Sequence, residues 1–404
     1  MSTNKIPEIR FNGFVEEWEN RKLEDICEHL EYGLNASATN YDGINKYLRI
    51  TDIDEKSRKF ILDGVTSPNY YLEDSDNFLL KNGDVLFART GASVGKTYVY
   101  RPKDGIVYFA GFLIRGRVKK EFSSELVFQY TLTDNYKKYI QITSQRSGQP
   151  GVNAQEYGAF PINLPPSKTE QTKIGSFFEN IDQLVNQHQT QHKKLTALKK
   201  AMLSKLFPKQ GKKIPEIRFK GFSEEWEVKK LGEVLSFKNG QGHEQIISES
   251  GKIIVINSKY ISSNGNTAKY CENIIVPLKN KDIVMVMSDI PNGKALAKCM
   301  LITNEKNYSL NQRICALSEQ NDDNIFLFYQ INRNNYFLSF DNGVSQTNLK
   351  LQEILDCPLF CPDKKEQEKI GNYFQNLDNL IANHSQQLEK LEVLKKACLA
   401  KMFV

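Results

Sequence analysis

The segment RTGASVGKT, Arg89 to Thr97, comes within one residue of a phosphate-cradling loop. Such a loop holds nucleotide phosphates on backbone N–H groups, with a lysine reaching the outer ones, and needs glycine, any four residues, then Gly-Lys-Ser/Thr. Here Thr90 stands where the first glycine is required, and Gly91 comes one position too late. A second stretch, DIPNGKAL from Asp289, has Ala295 where the hydroxyl after Lys294 should be. Nucleotide hydrolysis is therefore not expected. A turn presenting Lys96 and Lys294 to DNA phosphates fits both stretches, and an ordinary glycine turn is the alternative. Methylation of an exocyclic base amine needs a polar residue ahead of two prolines and an aromatic. Leu164-Pro165-Pro166-Ser167 has leucine there, and Pro358 and Pro362 do not restore the pattern. No carboxylate pair with a lysine, and no repeated Ser/His/Asp or Cys/His set, offers hydrolysis. No catalytic residue, metal site or cofactor of its own is expected of this chain.

What remains is recognition. The stretch TSQRSGQPGVN, Thr143 to Asn153, corresponds in position to SFDNGVSQTN, Ser339 to Asn348. Both mix glycine with side chains that hydrogen-bond base edges and phosphates. The candidates are Arg146, Ser147, Gln149 and Asn153 in the first, and Asn342, Ser345, Gln346 and Asn348 in the second. Arg49, Arg89 and Arg115 join the first set, and Lys259, Lys298 and Arg313 the second. Arginine matches guanine O6 and N7 with two donors, whereas lysine more often meets a phosphate. A purely structural loop is the rival reading.

These residues are carried by a chain that repeats itself. KIPEIRFNGFVEEWENRKL from Lys5 returns as KIPEIRFKGFSEEWEVKKL from Lys213, and EQTKIGSFFENIDQL from Glu170 returns as EQEKIGNYFQNLDNL from Glu366. Between the matching blocks lie two dissimilar stretches. The first, from Asp25 to Pro166, holds β-rich segments such as DVLFAR at Asp84 and GIVYFAGFLIRGRV at Gly105, then a helical rhythm from Glu125. The second echoes that order with KIIVINSKYI, DIVMVMSD, RICAL and DNIFLFYQI. Both read as curved mixed sheets with a few helices. An alignment of the two stretches sets Arg49 against Val255.

From Thr169 to Phe207 the stripe is Ile174, Phe177, Ile181, Leu184, His188, Gln191, Leu195, Leu198 and Met202. Its match is Ile370, Tyr373, Leu377, Leu380, His384, Gln387, Leu391, Leu394 and Cys398. Alternating steps of three and four are a heptad seam. With only PKQGK between the first helix and the second frame, paired helices must run antiparallel. About 38 residues at 1.5 Å each make a rod of about 57 Å. His188 and Gln191 are expected to meet Gln387 and His384 in a central polar layer that fixes register, the alternative being imidazoles that point partly to solvent and merely tolerate the site. The architecture is thus α+β: a globular domain over 1–166, a long helix over 167–208, a second domain over 209–363 and a second helix over 364–404, related by a pseudo-two-fold axis.

The 404 residues carry a formal charge of +6, which permits a nucleic-acid partner without proving one. No apolar run approaches 18 residues and no leader is evident in MSTNKIPEIRF, so neither a membrane span nor a signal peptide is expected and the cytoplasm is favoured. Of seven cysteines, six fall in the second half, so a repeated disulfide or zinc framework gives way to buried or incidental thiols.

The whole arrangement resembles the DNA-specificity subunit of type I restriction-modification systems. The resemblance rests on IPEIRF with a following tryptophan (Trp18, Trp226), on GDVLFARTGASVGK, and on the EQxKIGxxF entry to each long helix. It implies that each variable region is a target-recognition domain and that the helices act as a ruler. It further implies that two methyltransferase subunits bind here, that motor-nuclease subunits join the full complex, and that S-adenosylmethionine sits on the methyltransferase. Lys193, Lys194, Lys199 and Lys200, matched by Lys390, Lys395 and Lys396, are candidates for meeting partner carboxylates or DNA, with simple solvation as the alternative. Two unlike inserts imply an asymmetric bipartite double-stranded target. The rival readings are a stand-alone DNA-binding regulator, a two-domain protein-binding adaptor and a solitary modifying enzyme.

Overall fold

The computed structural model describes residues 5–70, 76–209, 211–303, 307–319 and 323–404. It divides into two compact units, Met1–Thr190 with Ser385–Val404, and Gln191–His384. Each unit therefore takes one half of each long helix.

In the first unit the strands Glu19–Lys22 and Pro161–Leu164 pair antiparallel and close the neck of the insert. Beyond it, a four-stranded antiparallel sheet runs in the order Cys27–Tyr32, Leu113–Val118, Asp84–Ala88, Thr97–Val99. The strand Asp84–Ala88 is buried throughout. Its side chains alternate between two cores, Val85 and Phe87 facing the helices and Leu86 and Ala88 facing the outer strands. Burial on both faces explains its unbroken apolar run. The helical rhythm from Glu125 resolves into two helices, Ser124–Tyr130 and Asp134–Thr143. The Thr133 hydroxyl accepts from Tyr136 N and starts the second afresh.

The second unit repeats this order with Leu235–Asn239, Ile314–Glu319, Ile283–Val286 and Cys299–Leu301. A parallel pair outside the sheet is also shared, Lys46–Leu48 with Val107–Phe109 and Ile253–Ile256 with Tyr308–Leu310. Its hydrogen bonds correct the sequence alignment. Ala110 N donates to Leu48 O as Asn311 N donates to Ile256 O. Arg49 therefore corresponds to Asn257, not Val255, and both residues precede a short helix.

The entry motif of each long helix, Lys168–Lys205 and Lys364–Lys401, has a packing reason for nearly every letter. Glu170 and Glu366 are buried and hold Arg10 and Arg218 of the IPEIRF segments. Gln171 accepts from Ser123 N and donates to Pro165 O, while Gln367 accepts from Asp323 N and donates to Pro362 O. At Gly175 a Cβ would lie 3.1 Å from Leu126 N, and at Gly371 3.1 Å from Phe326 N, so the helix passes so close to a capped helix start that any side chain there would have to push it back by a few tenths of an ångström. Ile174 and Phe178, and Ile370 and Phe374, enter the cores.

The helices run antiparallel. In the first unit the end of the second helix packs beside the start of the first, with Phe403 against Trp18 and Phe178 and Lys395 Nζ 2.6 Å from Asp182. In the second unit Phe207 meets Trp226 and Phe374, and Lys199 meets Asp378.

The seam departs from the expected stripe at Leu184 and Leu198 and at their matches Leu380 and Leu394. Ile174, Ile181, Leu195 and Met202 keep their places, Phe177 is half-buried against the core beside the fully buried Phe178, and Val185 packs inward in place of Leu184. Leu184 and Leu198 are 44 % and 42 % exposed, and Leu380 and Leu394 are 46 % and 45 % exposed. Lys199 and Lys395, expected to face solvent or a partner, occupy seam positions. Their aliphatic stems are covered while their ammonium groups reach the aspartates. His188, Gln191, His384 and Gln387 are all half-buried. No helix among the described residues is long and apolar enough to cross a membrane.

Candidate nucleic-acid interface

In each unit the fold brings together two loops that are far apart in sequence. In the first, the strand Asp84–Ala88 leads into the turn Arg89–Lys96, and the polar loop after Thr143 returns beside it. Gly91 N donates to Pro150 O at 2.9 Å and Val152 N to Arg89 O at 2.9 Å. The carboxamide of Gln149 lies over Gly91, 2.7 Å from where a Cβ would stand. In the second unit, Ser288–Asp289 pairs with Thr347–Asn348, and Leu349 N donates to Met287 O at 2.8 Å. Gln346 Nε2 donates to Ser288 Oγ at 2.7 Å, and Asn292 N to Asp341 Oδ2 at 3.1 Å. The glycine turn and the polar loop read separately from the sequence therefore form one surface in each copy.

The expected residues are distributed unevenly about these surfaces. Arg89 lies at the centre of the first, its guanidinium 4.7 Å from the ring centroid of Tyr32. Ser147, Gln149 and Asn153 are exposed beside it, although the Asn153 side chain also caps the helix Ala154–Gly158. Arg146 is tied to Glu156 and to the carbonyl of Thr143. Arg49 forms a two-point contact with Asp52, which raises its pKa.

Two expectations are corrected. Arg115 is 2 % exposed, lies 5.0 Å from the Phe109 ring centroid, and is held by Glu31 and the carbonyl of Asn77. It supports the sheet and is not presented to DNA. Lys96 is likewise not presented by the glycine turn, because it turns back 2.7 Å from Glu55 with 16 % of its side chain exposed.

In the second unit Lys259, Lys294, Arg313, Asn342, Ser345, Gln346 and Asn348 are exposed. Lys298 donates to Ser262 O at 2.8 Å. Asn342 accepts from Val344 N and Ser345 N and shapes its own turn, and Asn348 accepts from Ser288 Oγ.

Sequence reasoning missed the apolar members of both surfaces. Tyr32 is 43 % and Phe112 59 % exposed in the first unit, and Ile290 is 68 % and Val344 84 % exposed in the second. In the sequence they look like core residues. Their exposure follows from lying at strand ends and loop tips.

Residues 15–197 and 223–393 each match the family described as "Type I restriction modification DNA specificity domain". The chain is 22 % identical to the Type I restriction enzyme MjaVIII specificity subunit of Methanocaldococcus jannaschii, over 94 % of this chain and 91 % of that protein. It is 25 % identical, over the same shares, to the putative type I restriction enzyme MjaX specificity subunit of that organism. Its fold is similar to the crystal structure of a Type-I restriction-modification system S subunit from M. genitalium, with a TM-score of 0.69 over 99 % of both chains at 16 % identity. The two matched segments coincide with the two sheet-bearing copies and most of the helix that follows each, and the chain belongs to the type I restriction-modification DNA specificity domain family.

Proposed function

We propose that the chain reads an asymmetric, bipartite double-stranded DNA target, one half with each unit, for a type I restriction-modification complex. The observation that carries this reading is the repeated pairing of a glycine turn with a polar loop, built on one topology from dissimilar residues. Equal frames with unlike surfaces suit two different half-sequences at a set separation.

The 38-residue helices set that separation. At 1.5 Å per residue each is about 57 Å long, about 17 base pairs at 3.4 Å. The bases read lie closer than this, within one or two helical turns of DNA. His188, Gln191, His384 and Gln387 are the central polar members of a stripe whose only other polar members, among those named, are Lys199 and Lys395, and they fix the register of the helices.

Two methyltransferase subunits dock on the helices. Leu184 and Leu394 in the first unit, and their matches Leu380 and Leu198 in the second, support this by facing solvent, and Val393 beside Leu394 is exposed as well. S-adenosylmethionine binds to those subunits, which supply base flipping and chemistry, and motor-nuclease subunits complete the complex. The assembly works in the cytoplasm.

Co-expression with the methyltransferase and motor-nuclease subunits, followed by genome-wide mapping of methylated adenines, tests the reading. A two-part motif with a fixed gap is expected. A chain that binds DNA specifically while no methyltransferase co-purifies is instead a stand-alone regulator, and one without salt-dependent DNA affinity is an adaptor. Deleting one matched heptad from both helices is expected to shorten the gap and leave both half-sequences intact.

A further inference from the structure

Arg89 stands apart electrostatically. Every other arginine of the first unit lies against a carboxylate. Arg89 has no such partner among the described residues. It rests on the Tyr32 ring and makes one long contact, 3.5 Å, to Gly111 O. Its planar fork is oriented and its donors are largely unspent. In the second unit Arg218 is paired with Glu366 and Arg333 donates to Leu296 O, whereas Arg313 is exposed with no side-chain partner among the described residues. Its backbone is left-handed, with φ 66°.

The two arginines occupy opposite ends of one shared hydrogen bond. Arg89 N donates to Phe112 O at 3.0 Å, and Met287 N donates to Arg313 O at 2.9 Å. The flanking contacts establish the correspondence. Val152 N donates to Arg89 O as Leu349 N donates to Met287 O, and the strands Leu113–Val118 and Ile314–Glu319 follow directly from Phe112 and Arg313. Arg89 thus corresponds to Met287, and Phe112 to Arg313. Counting back from Val152 and Leu349 along the polar loop, Gln149 and Gln346 take the same place, each laid over the turn beside it.

We infer that the units read their half-sites with a guanidinium placed on opposite sides of one backbone bridge, Arg89 on the donor side and Arg313 on the acceptor side, next to a glutamine kept in both. This rests on the DNA-reading role proposed above and assigns its specificity residues. Arg89 and Arg313 each take a guanine through O6 and N7, and Gln149 and Gln346 each take an adenine through N6 and N7. Crossing an antiparallel bridge moves the Cα that carries the guanidinium by about 5 Å. That exceeds one base-pair step of about 3.4 Å, so the guanine stands at a different place relative to the glutamine-read base in each half. Phe112, on the vacated side in the first unit, faces thymine methyls.

The test is the methylated-adenine map of the full complex carrying Arg89→Ala, Arg89→Lys, Arg313→Ala or Arg313→Lys, with thermal melting of each purified chain as the check on folding. Each Arg89 variant is expected to relax one position in one half of the motif, with discrimination falling roughly 5- to 150-fold there, and each Arg313 variant one position in the other half. The lysine variants keep a phosphate contact but lose the fork. Retained methylation with relaxed sequence therefore supports the inference. Weaker methylation at all sites with both half-sequences intact marks a phosphate contact and overturns it. So does relaxation of the same half by both sets. A wild-type complex that yields no two-part motif overturns the DNA-reading role itself, a result distinct from either.

Discussion

Arg10 donates from Nε and Nη2 to the two carboxylate oxygens of Glu170, at 2.6 and 2.8 Å, and Arg218 does the same to Glu366 at 2.7 and 2.7 Å. Each pair fastens an IPEIRF segment to the first turn of a long helix, and both carboxylates are buried. Removing one member strands a charged group, at a cost of about 3–5 kcal/mol. Glu170→Ala is expected to lower the unfolding midpoint of the first unit and Glu366→Ala that of the second, read by denaturant titration of the full chain. An unchanged midpoint in either would show that the pair contributes nothing to its frame.

The seam register separates neighbouring residues. Phe178→Ala removes a fully buried ring and is expected to cost about 3–5 kcal/mol. Leu184→Ser changes an exposed position and is expected to stay within about 0.5 kcal/mol of wild type. With the proposed partners, however, Leu184→Glu is expected to reduce co-purification of the methyltransferase while leaving the melting curve in place. Equal destabilisation by Phe178→Ala and Leu184→Ser would contradict the register.

All seven cysteines are buried thiols outside any disulfide. Burial pushes the thiols of Cys27, Cys315 and Cys357 up to about 12. At pH 8 they stay protonated and unreactive, since the thiolate is the nucleophile. Folded protein is expected to resist iodoacetamide, and unfolded protein to take up seven equivalents, counted by mass. The folded thiols also keep protons that unfolded thiols release above about pH 8.5, so their contribution to stability falls as pH rises from there. Rapid labelling of Cys315 in native buffer would refute the burial.

The duplicated plan, the antiparallel helices and the two loops that meet in each unit are legible because they rest on repeated strings and on turn chemistry. The seam was half legible. Leu184 and Leu198 are apolar yet exposed, and Lys199 and Lys395 are charged yet seated in the stripe, so hydrophobicity alone selects the wrong neighbour. Arg115 and Arg89 have the same side chain, and only the fold separates one held by Glu31 from one left without a carboxylate. Arg49 was aligned with Val255 because the inserts share few letters. Their equivalence lies in main-chain hydrogen bonds, which no side-chain pattern records.

Those main-chain bonds predict the behaviour of a chimera. Replacing the second insert with a copy of the first, between the neck strands, is expected to give a soluble protein whose complex methylates a target with two identical halves. An insoluble chimera, or one retaining the original second half-sequence, would contradict the shared topology.

The frame holds its insert largely by the backbone. Gln171 takes the N–H of Ser123 and the carbonyl of Pro165, Gln367 takes the N–H of Asp323 and the carbonyl of Pro362, and Leu23 N and Leu231 N reach the carbonyls of Phe160 and Cys357. A clamp on amides is indifferent to which residues supply them. Mutation or recombination can therefore rewrite the letters between the clamps, and the sequence preference with them, while the joints to the rest of the assembly go on fitting as before.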